Sequence, residues 1–293
     1  MSFASERSMR YARYARYVSL LALAALASCE RVVGIEVTEG PERLVVEARL
    51  EAVRGLVVSR QEIRLSTSAP YFSNTTTPPA RDAVVEVVDE ENARVRLAET
   101  SPGVYRTDSL PLTVGRSYTL QIRWKGDVYE ATERLVEVAP IDTLYFRARP
   151  NKSAATDGVR ATIDLRDPAG TANYYLWDQF IDGVRTVAPD TLVRVRVVAS
   201  DELFNGRRVR VFQPFDGIAV RSGQEVRIRQ YSISEAMWRY YQALGAQTDG
   251  DASPFGVPSA SVRGNVANRT RPDARALGYF SVSQVAERVA RVP

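Results

Sequence analysis

The residue best placed for covalent chemistry is Cys29, the single cysteine in a chain of 293 residues. It closes the stretch SLLALAALASC (19–29), directly after an apolar run and two small residues. A thiol there offers one reaction, alkylation of its thiolate, a strong nucleophile. Other chemistries are limited by what the chain lacks. It has no histidine and no second cysteine, so it has no disulfide, no zinc site of the usual Cys/His kind, and no Ser-His-Asp or Cys-His nucleophile system. No glycine-rich phosphate-cradling run is present. Carboxylate-only chemistry, as in glycosidases, stays open, although no acid stands out at the end of an apolar strand. Asp89-Glu90-Glu91-Asn92 and Asp249-Gly250-Asp251 have calcium-ligating residue types, but both fit solvated turns better. No catalytic residue, no metal and no cofactor is expected.

The segment that positions Cys29 carries Arg7, Arg10, Arg13 and Arg16 with Glu6 as its only acid, followed by an apolar run from Tyr17 to Ala27. A basic region followed by a short apolar region is a secretory signal, and the run is about half of the ~20 residues a membrane-crossing helix needs. Leu26-Ala27-Ser28-Cys29 resembles the lipobox of bacterial lipoproteins, in which cleavage precedes the cysteine and the thiol receives a diacylglycerol. Residues 1–28 are therefore expected to be a lipoprotein signal peptide, and Cys29 the lipidation site. One acyl chain holds a membrane only marginally at ~0.8 kcal/mol per buried methylene, whereas two or three hold it permanently. Residues 29–42 then form a tether, reaching at most ~40 Å at ~3.3 Å per extended residue.

The leader also accounts for the charge. The whole chain is +4, but without residues 1–28 it has 35 basic and 34 acidic residues. Its arginines alternate with acids instead of clustering, so nucleic acid is not an expected partner.

The rest of the chain reads as all-β with one helix. Period-two runs at 43–51, 62–68, 83–89, 93–99, 103–107, 116–124 and 127–138 predict seven strands, the number in an immunoglobulin-like β-sandwich, over 43–139. A second β-rich domain is expected over 140–293, with strands at 143–149, 159–167, 173–183, 191–199, 207–213, 224–232 and 278–292. Ser232 and Glu235 have capping-box spacing before a helix near 233–245, in which Met237, Tyr240, Tyr241 and Leu244 form an apolar stripe suited to core packing. Residues 247–275 read as a long loop.

Several stretches carry a resemblance: RLVVEARL (43–50), STSAPYF (66–72), SPGVYRTD (101–108), Asn173-Tyr174-Tyr175, DELFNG (201–206), Ser234-Glu235, Gly264-Asn265-Val266 and Leu277-Gly278-Tyr279-Phe280. Together with Cys29-Glu30 they resemble the Bacteroidota lipoproteins grouped as domain of unknown function 4249 (DUF4249), over essentially the whole mature chain. The resemblance implies an outer-membrane lipoprotein, often encoded beside a TonB-dependent receptor, and no established activity. Which face of the membrane it occupies, surface or periplasmic, stays open. The expected role is a non-enzymatic accessory of that transporter. The alternative is an envelope-tethered, carboxylate-dependent hydrolase of glycans or peptides.

Two further expectations concern the surface. Tyr71 and Phe72 lie in a Thr/Pro-rich stretch after a strand and form the candidate contact loop, or else tuck under their own sandwich. Ser109, Thr143 and Thr191 follow aspartates and precede apolar residues, resembling Bacteroidota O-glycosylation sites; short Asp-Ser/Thr pairs also simply begin strands, which is the favoured reading at each site.

Overall fold

Alternation of apolar and charged side chains builds the strands. In β1 (Leu44–Val53), Leu44, Val46, Ala48 and Leu50 are buried while Glu47 faces out. In β6 (Ser117–Trp124), Tyr118, Leu120, Ile122 and Trp124 share the buried face. The structure, a computed structural model, describes residues 40–69, 77–186, 197–248 and 262–293. It is mostly β, with two short-to-medium helices among the described residues.

The first seven strands follow the predicted runs closely. After β1 come β2 (Gln61–Thr67), β3 (Val84–Asp89), β4 (Arg94–Ser101) and β5 (Val104–Thr107), then β6 and β7 (Asp127–Arg134). Lys125 and Gly126 both have positive φ (47° and 83°), the conformation a two-residue hairpin turn requires. In the Asp89–Asn92 turn the Asp89 carboxylate accepts from the Glu91 and Ala93 backbone amides, so it closes the hairpin. Strand β4 is where the sheet folds over: its first half pairs with β3 and its second half with β5, with a register shift between Glu99 and Ser101. Residues of β1, β2 and β5 on one side, and of β3, β6 and β7 on the other, share one hydrophobic cluster.

The second half adds β8 (Ile141–Arg147), β9 (Arg160–Arg166) and β13 (Arg208–Phe212) as a three-stranded sheet. Strands β10 (Tyr174–Ile181), β11 (Val184–Arg185), β12 (Val197–Ser200) and β14 (Glu225–Ile233) join the large sheet. A second cluster packs between the two sheets, with Ile141, Ile163 and Phe215 against Tyr175, Trp177 and Ile228. The closing strand β16 (Leu277–Arg291) lies parallel to β1 from Val45↔Leu277 to Val53↔Val285, and antiparallel to β14. Hydrogen bonding therefore runs continuously through the sheet across the expected boundary near 139–140, and residues 41–293 make one compact unit.

Helix α1 (Ala154–Asp157) is a single turn capped by Ser153. Helix α2 (Glu235–Thr248) packs Met237 with Leu176, Tyr231, Ile233 and Val285 on the other face of the large sheet. Its cap is Ser234, whose hydroxyl accepts from the Met237 amide at 3.1 Å. Ser232, the residue with capping-box spacing, is instead inside β14. Its hydroxyl donates to the Val136 carbonyl and accepts from the Gln284 amide. Part of the predicted loop 247–275 also pairs: β15 (Ala267–Asn268) lies beside β7, too short to leave a periodic signal. No helix among the described residues is long and apolar enough to cross a membrane.

Candidate functional site: an acid pair beside an arginine-edged cleft

Strand β9 ends in Asp167, only 2 % exposed. The Asp167 amide donates to the Arg207 carbonyl at 3.0 Å, which continues the pairing of β9 with β13. Its carboxylate accepts from the Tyr175 hydroxyl at 2.5 Å and from the Gly206 amide at 3.0 Å. Both donors belong to structure that the sequence encodes locally. Tyr175 is on the buried face of β10, and Gly206 closes the DELFNG turn with φ at +71°. A Cβ at Gly206 would press against Ala169 at 2.8 Å, so the turn needs glycine there twice over.

Asp201 opens the same turn and is 3 % exposed. Its carbonyl accepts from the Phe204 amide at 2.7 Å, and its carboxylate from the Asn205 side chain at 2.9 Å. Asn205 in turn ties the neighbouring loop, donating to the Thr171 carbonyl and accepting from the Gly170 amide. Burial pushes the Asp167 carboxyl up, against the pull of Tyr175 and Gly206, and contact with the Asp201 carboxyl pushes it further. Burial and Asp167 push the Tyr175 hydroxyl up as well.

Against this pair lies a cleft of about 650 Å³, lined by Asp142, Arg166, Asp167, Pro168, Gly206 and Arg208 among others. Both oxygens of Asp167 are engaged with the protein, and one of Asp201 is. A general acid or base needs an oxygen aimed at its substrate, and a glycosidase pair needs about 5–9.5 Å between carboxyl groups. The two acids instead hold the 201–207 turn onto β9 and β10, Asp167 through Gly206 and Tyr175 and Asp201 through Asn205.

A third buried acid, Glu133 at the end of β7, is 9 % exposed. It accepts from the Tyr279 hydroxyl at 2.8 Å and the Asn265 side chain at 3.1 Å. Burial pushes its carboxyl up, and those two donors together with Ser234 oppose the shift. This is the meeting point of β7, the cap of α2 and the start of β16. Gly264 and Gly278 make the crossing fit: a Cβ on Gly264 would collide with the Gly278 carbonyl oxygen, and one on Gly278 with that of Val46.

Of the residues singled out in the sequence, Cys29, Tyr71, Phe72 and Thr191 lie outside the described residues, as does Asp249-Gly250-Asp251. Ser109 is exposed just after β5, its hydroxyl 3.0 Å from that of Thr107. Thr143 is exposed on β8, and Asp142 before it lines the cleft. No acid stands out at a strand end in the sequence, yet Glu133 and Asp167 are both buried there. The signal available was faint: Asp167 stands before Pro168 where β9's alternation stops, and Asp201 opens a Gly-terminated turn. Among the described residues, no group of three or more His, Cys, Asp or Glu side chains could hold a metal ion.

Comparison with curated proteins finds no match. The family model described as "Domain of unknown function (DUF4249)" matches residues 30–289. That span begins one residue after Cys29 and takes in Glu133, Asp167 and Asp201, so the chain belongs to the DUF4249 family.

Proposed function

We propose that this chain is a lipoprotein of the Bacteroidota outer membrane that serves as a non-enzymatic binding accessory of a TonB-dependent transporter. The observation that carries the reading is the leader: four arginines, a short apolar run, and Cys29 directly after Leu26-Ala27-Ser28. Cleavage before Cys29 and acylation of its thiol leave a fold that starts at β1 on a short tether, held close to the membrane. Family membership from residue 30 onward supports the same division of the chain into leader and mature part. The binding role is supported by the cleft beside β9, whose buried acids are occupied in holding its wall. Tyr71 and Phe72 are the proposed contact residues for the receptor or its substrate. The test is fractionation and affinity purification from the native host. Wild type is expected in the outer-membrane fraction with the neighbouring receptor, and Cys29→Ser in the soluble or unprocessed fraction. Recovery of wild type in the soluble fraction would overturn the reading.

The second reading is a tethered hydrolase of glycans or peptides that uses carboxylates. Asp167 on the cleft wall beside Asp201 is the observation that favours it. Under that reading Asp167→Asn abolishes turnover of a glycan or peptide substrate while the fold persists.

A further inference from the structure

The cleft beside β9 carries an electrostatic conflict that the protein's own residues only partly relieve. Arg166 and Arg208 are directly opposite each other in the β9–β13 pairing. Side chains so placed start about 4.5–5.5 Å apart, and like charges there are destabilising. Both residues line the cleft. Asp142, also on the cleft wall, forms an ion pair with Arg208 at 3.5 Å. Among the described residues Arg166 has no carboxylate partner and no side-chain hydrogen bond. Arg208 is thus matched by one carboxylate and Arg166 by none among the described residues, which leaves most of the ten N–H donors of the two planar forks to be satisfied from outside the protein.

We propose that this cleft binds an acidic saccharide, with the sugar carboxylate held between Arg166 and Arg208. A carboxylate accepts two parallel N–H bonds from a guanidinium fork, and its charge removes the repulsion between the arginines. Asp142, about one-third exposed, supplies acceptor oxygens for the hydroxyls of the same sugar. Pro140, Pro168 and Ala169 offer an apolar wall for its C–H face. About 650 Å³ lies within the range of small-ligand sites and admits more than one sugar unit. The Asp167–Asp201 pair is a positioning element: it fixes the turn bearing Gly206 and the start of β13, and so the spacing of the two arginines. This assignment names a ligand class for the binding role proposed above. It holds equally for a chain whose Cys29 carries no lipid.

The experiment is calorimetric titration of the full chain in detergent with digalacturonate, its dimethyl ester and inorganic sulfate, at low and moderate salt. Digalacturonate is expected to bind saturably, and the neutral ester at least tenfold more weakly. Arg166→Ala and Arg208→Ala, both at exposed positions, are each expected to weaken digalacturonate binding at least tenfold with an equal or higher melting temperature. Added salt is expected to weaken it further. Asp142→Asn is expected to weaken digalacturonate binding and leave sulfate binding unchanged or tighter. Absence of digalacturonate binding, equal binding of acid and ester, or arginine variants that bind like wild type would each overturn the proposal. Sulfate binding as tight as digalacturonate would overturn the saccharide assignment. Because Cys29 acylation is measured separately, failure here and failure of the anchor are distinguishable.

Discussion

The side chain of Asn265 takes the place of a neighbouring strand for Phe280. Its amide donates to the Phe280 carbonyl at 2.8 Å, and its oxygen accepts from the Phe280 amide at 2.9 Å. The same Nδ2 group reaches Glu133 at 3.1 Å. One residue thus joins the 262–266 segment, β16 and β7. At about 0.5–1.5 kcal/mol for each hydrogen bond, Asn265→Ala is expected to lower unfolding free energy by about 2–4 kcal/mol. Urea unfolding measures it, and a loss under ~0.5 kcal/mol would contradict the pinning role.

Glu133 predicts an unusual pH response. Burial raises its folded-state pKa above the ordinary carboxylate value. Its contribution to stability is therefore complete below the unfolded value of 4.5 and is lost as pH rises through the raised folded value. Glu133→Gln keeps an oxygen for Tyr279 and Asn265 and removes the charge. The variant is expected to match or exceed wild type in melting temperature at pH 7. Its advantage should vanish below about pH 4.5. A variant less stable than wild type at pH 7 and equal to it at pH 4 would reverse the sign.

Asp127 behaves the opposite way. Arg271 donates to it at 2.9 Å through Nε, with further bonds from Asn268 at 3.0 Å and Tyr129 at 3.2 Å. The Arg271 bond, outweighing the effect of burial, brings its pKa from 3.8 to about 2. That stability is present above 3.8 and lost as pH falls through about 2. Asp127→Asn is expected to cost about 1–3 kcal/mol at neutral pH and to free the β15 segment for faster hydrogen exchange. Acid titration of both proteins should converge near pH 2; parallel curves would rule out the assignment.

Tyr175→Phe removes the 2.5 Å bond to Asp167 without changing the core ring. A hydrogen bond to a charged group contributes about 1.5–3 kcal/mol, and the loss should appear in urea unfolding. Amide exchange in 201–207 should also quicken. Unchanged protection there would show that the turn stands without the acid pair.

Strands were legible because each buries one face: the alternation in 117–124 names its core residues outright. Partners were not legible. Nothing local in 277–291 says that it pairs parallel to β1, because that register depends on Gly278 and Gly264 letting backbones approach across more than 200 residues of sequence. The cap of α2 was misplaced by two residues, since Ser232 and Ser234 look alike until Val136 and Gln284 claim the first. The buried acids were hidden for the same reason: Asp167 reads as a solvated strand end until Tyr175 and Gly206 close over it. Two arginines opposite each other, 166 and 208, require the strand register before their conflict is visible.

The lipid anchor is tested most directly by intact mass spectrometry of the chain extracted from native membranes. The predicted species begins at Cys29, lacks residues 1–28, and carries a diacylglycerol thioether on the thiol with a further acyl group on the new amine. A chain retaining residues 1–28, or one beginning at Cys29 with an unmodified thiol, would contradict it.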